Sequence, residues 1–182
     1  MQPIKQLANT LGRLADPEHF LFSLSDLSGL LPELRPQALK AVINRAVKNE
    51  LLQRVCRGIY LYPVKGFPSG TILYRVAARL RAHEFNYISL ESALSDAGVI
   101  SQIPMNWITL MSSGRSHIIN CGDFGHIEFI HTKKTLAKLE PLLTYDRNCG
   151  LWRSSVALAL QDMKSTGRNT DLVDWSVAHE LI

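Results

Sequence analysis

One stretch constrains the fold more than any other: Arg35–Pro63, RPQALKAVINRAVKNELLQRVCRGIYLYP. Its first part has a helical period. Pro36 suits a first helical turn, where its missing N–H has no intrahelical partner to lose. Leu39, Val42, Ile43, Ala46 and Val47 then make one apolar stripe. At Asn49-Glu50 the period changes from helical to two. Leu51–Val55 reads as a strand, Cys56-Arg57-Gly58 as a tight turn and Ile59–Pro63 as the return strand. Gly58 supplies the permissive backbone that such a hairpin needs.

The face opposite the stripe carries Gln37, Lys40, Asn44, Arg45 and Lys48, and Arg35 precedes the helix. Gln37, Lys40, Asn44 and Lys48 are three or four residues apart and line up toward solvent. Amides of this kind pair with adenine edges, arginine pairs with guanine, and lysine neutralises backbone phosphates. Arg54 and Arg57 fall at or near the hairpin tip, where a wing touches phosphates. The expected DNA-binding set is therefore Arg35, Gln37, Lys40, Asn44, Arg45, Lys48, Arg54 and Arg57, with double-stranded DNA as partner. The plainer alternative is an amphipathic helix with a solvated basic face, followed by an ordinary hairpin. The basic hairpin directly after the basic helix face favours the first reading.

Charge is distributed in keeping with this. The chain carries +4 overall. Residues 1–81 hold 12 Lys+Arg against 5 Asp+Glu, and residues 82–182 hold 8 against 11. A basic first half joined to a mildly acidic second half suits a nucleic-acid module fused to another domain. With 182 residues and 46% hydrophobic content, the chain can bury a real core. No apolar run approaches a membrane span, and the N-terminus lacks a secretory pattern. Three cysteines (Cys56, Cys121 and Cys149) are too few and too odd for a disulfide framework, which predicts a cytoplasmic protein.

Around the central stretch, residues 3–15 read as an amphipathic helix ended by Asp16-Pro17. Residues 20–22 read as a short strand able to pair with the hairpin. Residues 26–31 read as a helix capped by Ser23 or Ser25. The order helix, strand, helix, turn, helix, hairpin is winged helix-turn-helix topology. Residues 64–70, with two glycines and Pro68, read as a linker. The expectation is an α+β chain: a winged-helix domain over residues 1–66, then an α+β domain over 70–182. That second domain is expected to have a small, mostly antiparallel sheet and a helical C-terminus. Its elements are a helix from Thr71, strands at 86–89, 107–111, 117–121 and 126–131, and a helix at 90–97. Further helices are expected near 136–143 and over 151–163, with a last one capped by Thr170.

His117, Cys121, Asp123, His126 and His131 are the polar residues most suggestive of chemistry. Cys121, His126 and His131 match no compact zinc module, and the chain has no CxxC or HExxH. Gly122–Gly125 lacks the lysine and following helix of a phosphate loop. The reading assigns no catalytic residue, metal ligand or cofactor, and it expects a non-enzyme.

Two blocks resemble the AbiEi family, the antitoxin half of type IV toxin–antitoxin (abortive infection) systems. In Leu51–Pro63, Arg57-Gly58-Ile59-Tyr60 and Pro63 are similar to the family's wing. The second block is Tyr87–Pro104, YISLESALSDAGVISQIP, followed by Ile108-Thr109-Leu110 and Ser113-Gly114-Arg115. It resembles the start of the family's second domain. The resemblance covers about residues 20–135. Beyond it the family's proline-glutamate-lysine-alanine helix start is missing, and Leu151–Leu158 stands near that place. The resemblance implies a winged helix that binds operator repeats and represses its own operon. It also implies a second domain that counteracts an AbiEii-like nucleotidyltransferase toxin, an arrangement that needs no stable complex between the two. The alternative is a winged-helix interaction module that neutralises a partner by direct contact.

Overall fold

The computed structural model describes residues 2–101 and 106–182. Gln102-Ile103-Pro104, the end of the second block above, lies outside them. The architecture is mixed α+β, with two sheets and helices around them. The chain divides into two compact units, Met1–Gly70 and Thr71–Ile182.

The first unit runs α1 (Pro3–Leu14), β1 (Leu21–Ser23), α2 (Leu24–Leu30), α3 (Pro36–Lys48), β2 (Gln53–Cys56) and β3 (Ile59–Leu61). Proline opens both α1 and α3. Ser23 caps α2 in a capping box: its hydroxyl accepts from the Asp26 N–H, and the Asp26 carboxylate accepts from the Ser23 N–H. Leu7 and Leu11 of α1, Leu27 and Leu31, and Leu39, Ile43 and Ala46 of α3 bury one core with Leu52. Each leucine so buried contributes about 1.5–3 kcal/mol by leaving water. Leu14, three residues after Leu11, lies exposed at the end of its helix. The three strands form an antiparallel sheet in the order β1-β3-β2, with Leu21 opposite Leu61 and Arg54 opposite Tyr60.

Several boundaries differ from the sequence expectation for local reasons. Leu51 and Leu52 do not start the strand but close the helix. The Leu51 N–H bonds to Ala46 O and the Glu50 N–H to Val47 O, a Schellman-type ending. Glu50 takes the left-handed position at φ 58° that glycine usually fills. Cys56 belongs to the strand rather than the turn, because a bulge between Arg54 and Cys56 breaks the alternation and turns both Val55 and Cys56 inward. The expected linker is also partly structured. Phe67 packs on Phe20 with ring centroids 5.4 Å apart, and Ser69–Thr71 forms a 3₁₀ turn.

Glu50 carries a left-handed backbone without glycine's freedom, and it places an acid at a helix C-terminus. Its side chain is exposed. Glu50→Gly is therefore expected to stabilise the Met1–Gly70 unit by about 1 kcal/mol. Urea unfolding reads this as a higher midpoint, and an unchanged or lower midpoint contradicts it.

The second unit comprises α4 (Ile72–Leu80), β4 (Asn86–Ile88), α5 (Leu90–Asp96), β5 (Trp107–Ser112), β6 (His117–Asn120), β7 (His126–His131), α6 (Leu136–Leu139), β8 (Leu143–Asp146), β9 (Leu151–Ser154), α7 (Val156–Ser165) and α8 (Trp175–Glu180). Its sheet is larger and more mixed than expected: six strands in the order β6-β7-β5-β4-β9-β8. The pairs β4–β5, β6–β7 and β8–β9 are antiparallel, whereas β5–β7 and β4–β9 are parallel. The parallel pair β5–β7 arises because β6 leaves the place beside β5 to β7 and takes the outer edge. Residues 143–154 form the β8–β9 hairpin, although the sequence expectation is helix up to 143 and again from 151. Asp146 Oδ1 accepts from the Asn148 and Cys149 N–H groups, and Gly150 takes a positive φ of 68° in the turn. The helix then begins after Ser155, which caps it through the Leu158 N–H. The last helix is capped by Asp174 rather than Thr170, and Val173 instead bridges to Ile100. Among the described residues, no helix is long and apolar enough to cross a membrane.

Candidate nucleic-acid interface

Helix α3 buries Leu39, Ile43 and Ala46 and leaves the opposite arc in solvent. At about 100° per residue, that arc centres on Gln37, Ala41, Asn44 and Lys48. Lys40 flanks one side, and Ala38 and Arg45 the other. All are exposed, as is Arg35 at the N-cap. The outward row therefore alternates amides with methyl groups and ends on cations. Ala38 and Ala41 carry no signal in the sequence, because small apolar residues suit any face of a helix. Their exposure on this face is the informative fact, since a short side chain lets a helix approach a groove floor closely and an exposed methyl can meet a thymine methyl.

The hairpin follows within five residues of the helix end. Cys56 pairs with Ile59, so Arg57-Gly58 forms a two-residue tip, with Gly58 at φ 82°. Arg57 and Arg54 are both exposed. The tip is held in place: the Leu24 N–H donates to Gly58 O at 2.9 Å, and the Arg54 Nε–H donates to Cys56 O at 3.4 Å. Through that first bond the N-terminus of α2 fixes the height of the hairpin tip. All eight residues expected to touch DNA thus lie on the surface of one unit, on α3, its N-cap and the adjoining hairpin.

Charge follows the unit boundary more closely than the division at residue 81. Residues 1–70 hold nine Lys+Arg against five Asp+Glu, and residues 71–182 hold eleven of each. The whole excess of +4 therefore belongs to the first unit. Arg75 and Arg81, just after the boundary, are engaged inside the second unit. The Arg75 Nε–H donates to Asn148 O at 2.9 Å, and Arg81 lies 3.9 Å over the Phe129 ring.

In the second unit, the polar signature Tyr87–Leu94 turns inward. Asp162 of α7 is wholly buried, at 0% exposure. Its Oδ2 accepts from the Ser89 hydroxyl at 2.7 Å and the Tyr87 hydroxyl at 3.0 Å, and its Oδ1 pairs with Lys134 Nζ at 2.5 Å. Burial, and then the facing Asp162 carboxylate, push the Tyr87 phenol well above its ordinary range. Ser92 and Thr109 exchange two hydrogen bonds between side chain and backbone, which lock α5 onto β5. Leu90, the first residue of α5, is fully buried at φ 58°, a strained position for leucine. Glu91 and Glu128 share Arg168, at 3.1 and 2.5 Å. The signature holds β4, α5, β5 and α7 together.

Of the suspected chemical residues, His126 and His131 are engaged in the same structural way. His126 stacks on Trp107 with centroids 4.8 Å apart, and His131 Nδ1 lies 2.9 Å from Gly114 O. Cys121 is buried. Among the described residues, no three His, Cys, Asp or Glu side chains gather as metal ligands. Burial, and then neighbouring Asp146, push the Cys149 thiol up to about 12, which keeps it protonated and unreactive. Arg153 pairs with Asp96 and with Asp146, the latter at 2.8 Å. Burial opposes its charge, but the two carboxylates prevail and hold it charged.

Compared with known proteins, the chain matches no family model and no curated protein sequence.

Proposed function

We propose that the Met1–Gly70 unit is a winged helix-turn-helix that binds double-stranded DNA. In this reading α3 lies in the major groove and the Arg57-Gly58 hairpin lies on the backbone. The observation that carries it is the outward arc of α3, where Gln37, Ala41, Asn44 and Lys48 face solvent directly beside a basic hairpin tip. The element order α1-β1-α2-α3-β2-β3, with β1 paired to the hairpin, is the order of a winged helix. Gln37, Lys40, Asn44 and Arg45 enter the major groove and read base edges. Arg35, Lys48, Arg54 and Arg57 hold phosphates.

The wider reading is an antitoxin that represses its own operon and counteracts a nucleotidyltransferase-type toxin. It rests on the resemblance of Leu51–Pro63 and Tyr87–Pro104 to the AbiEi family. Repression resides in the first unit. Toxin neutralisation falls to the second, whose signature residues build its core and leave its surface to carry the specificity.

The wing assignment is tested with an Arg54→Ala/Arg57→Ala variant. Both side chains are exposed, and the Leu24 N–H to Gly58 O bond still holds the tip when the Arg54 bond to Cys56 O is lost. Removing two phosphate contacts is expected to lower the slope of log K against log salt by about 1.8 for duplex DNA. Affinity should fall to a similar degree for every sequence. Equal binding and an equal slope for the variant and the wild type would remove the hairpin from the interface. Copurification with a toxin, with no shift of operator DNA, would favour the protein-interaction alternative instead.

A further inference from the structure

A loop at one end of the second unit's sheet is fixed by more bonds than an exposed turn requires. The C-terminal end of β5, the N-terminal end of β4 and the start of β6 meet there, beside the residues that follow α4. The Phe85 N–H donates to Ser113 Oγ at 3.0 Å, and the Ser113 N–H to Phe85 O at 2.9 Å. The Gly114 N–H donates to Ser112 Oγ at 3.0 Å, and the His131 N–H to Ser116 Oγ at 2.9 Å. Arg81 donates to Ser112 Oγ at 2.9 Å and to Arg115 O at 2.6 Å, with its own plane laid on Phe129. A Cβ at Gly114 would meet the Glu84 carboxylate, so only glycine allows that carboxylate its present place.

The charged side chain this turn presents is Arg115. It is exposed and forms no ion pair among the described residues. Beside it, Arg81, Glu84, Ser116 and His117 line a cavity of about 430 Å³, within the range of about 300–1,000 Å³ typical of small-ligand sites. Glu84 pairs with Arg81 rather than Arg115: its Oε2 meets Arg81 at 3.4 Å and accepts from the Ser112 hydroxyl at 3.3 Å, and its Oε1 is left as an acceptor among the described residues. A second cavity of about 180 Å³ adjoins the first and shares Arg81 and Glu84 with it. Asn86 lines this one and is only 5% exposed. Its Nδ2 donates to Arg81 O and Glu84 O, which fixes the amide orientation. Its Oδ1 is left as a buried acceptor with no donor.

We propose that this sheet end is a binding site for a phosphate monoester of nucleoside-monophosphate size. Arg115 and His117 hold the phosphate. Glu84 accepts from a sugar hydroxyl, and Asn86 Oδ1 accepts from a donor on the ligand's other end. The bonded turn fixes the backbone from which Arg115 projects, through the Arg81 bond to Arg115 O, and leaves the guanidinium itself free to meet the anion. This site is independent of the DNA-binding reading of the first unit.

Calorimetric titration of the full chain with AMP, adenosine and inorganic phosphate tests it. AMP is expected to bind at least about tenfold more tightly than adenosine, and Arg115→Ala to lose about tenfold in AMP affinity, as a charge-assisted pair implies. Arg115→Lys should recover part of that loss. The Arg115 side chain has no structural partner among the described residues, so circular dichroism of Arg115→Ala should be unchanged. No AMP binding at millimolar concentration, equal binding of AMP and adenosine, or equal binding by Arg115→Ala and wild type would overturn the site. Inorganic phosphate binding as tightly as AMP would overturn the nucleoside half. A competing arm separates the sources of the monoester. Displacement of AMP by a 5′-phosphorylated oligonucleotide, but not by its unphosphorylated form, supports a strand end, and no displacement supports the free nucleotide.

Discussion

Asp162→Ala is expected to destabilise the Thr71–Ile182 unit by about 3–5 kcal/mol, the range for breaking a buried ion pair from one side. The carboxylate is fully buried and satisfies three donors on three different segments: Tyr87 on β4, Ser89 before α5, and Lys134 after β7. Removing it leaves the Lys134 ammonium, which is about a third exposed, without its partner, and strands two buried hydroxyls. Lys134→Ala leaves the buried carboxylate unpaired and is also expected to destabilise. In the double variant the two losses should not add, because they break one network. Chemical denaturation followed through Trp107 or Trp152 fluorescence reads the change. A loss below about 1 kcal/mol for Asp162→Ala would mean that the network is dispensable.

Asn44→Ala is expected to cost about 1–3 kcal/mol on a specific duplex and almost nothing on random DNA, because a bidentate amide contact carries base discrimination rather than backbone affinity. Asn44 lies at the centre of the exposed arc of α3, one turn from Ala41 and Lys48, and has no role in the core. Lys48→Ala is the contrasting case. It should weaken both duplexes about equally and reduce the salt slope by about one ion. Fluorescence anisotropy with both duplexes distinguishes the two variants. An equal loss on specific and random DNA for Asn44→Ala would move that residue from the bases to the backbone.

Much of the first unit could be read from the sequence, because its signals are local. Pro3 and Pro36 open helices, Ser23 and Asp26 three residues apart make a capping box, and the leucine spacing marks the core faces. The details that were missed depend on three-dimensional packing. The bulge at Val55 appears only once β2 pairs with β3. The left-handed Glu50 could not be foreseen, because nothing in its side chain favours that conformation. The outward arc of α3 was readable except for Ala38 and Ala41, whose methyl groups gain meaning only from their exposure.

The second unit was less legible because its partners are distant in sequence. Leu136, Leu139, Leu142 and Leu143 fall at helical intervals, yet the chain leaves the helix at Pro141 and enters β8 at Leu143. Leu151–Ser154 is a strand because it pairs parallel to β4, with Trp152 opposite Tyr87 some 65 residues earlier. No local period reveals such a pairing. Asp162 lies four residues after Leu158 and three after Ala159, on the buried face of α7, and its partners Tyr87, Ser89 and Lys134 come from other segments. The cleft at Arg115 and His117 was also beyond reach. The Ser113-Gly114-Arg115 turn was noticed as a motif, but its rigidity comes from Arg81, Phe85 and His131 on other elements.

The central claim is that the first unit recognises a particular DNA sequence. Its most direct test is the affinity of the full chain for the duplex upstream of its own gene, against a random duplex of equal length, at physiological salt. The account predicts a ratio of about a thousandfold or more in favour of the upstream duplex, as for specific DNA-binding proteins. It also predicts that Asn44→Ala collapses much of that ratio. Equal affinity for the two duplexes, or no binding to either, would contradict it.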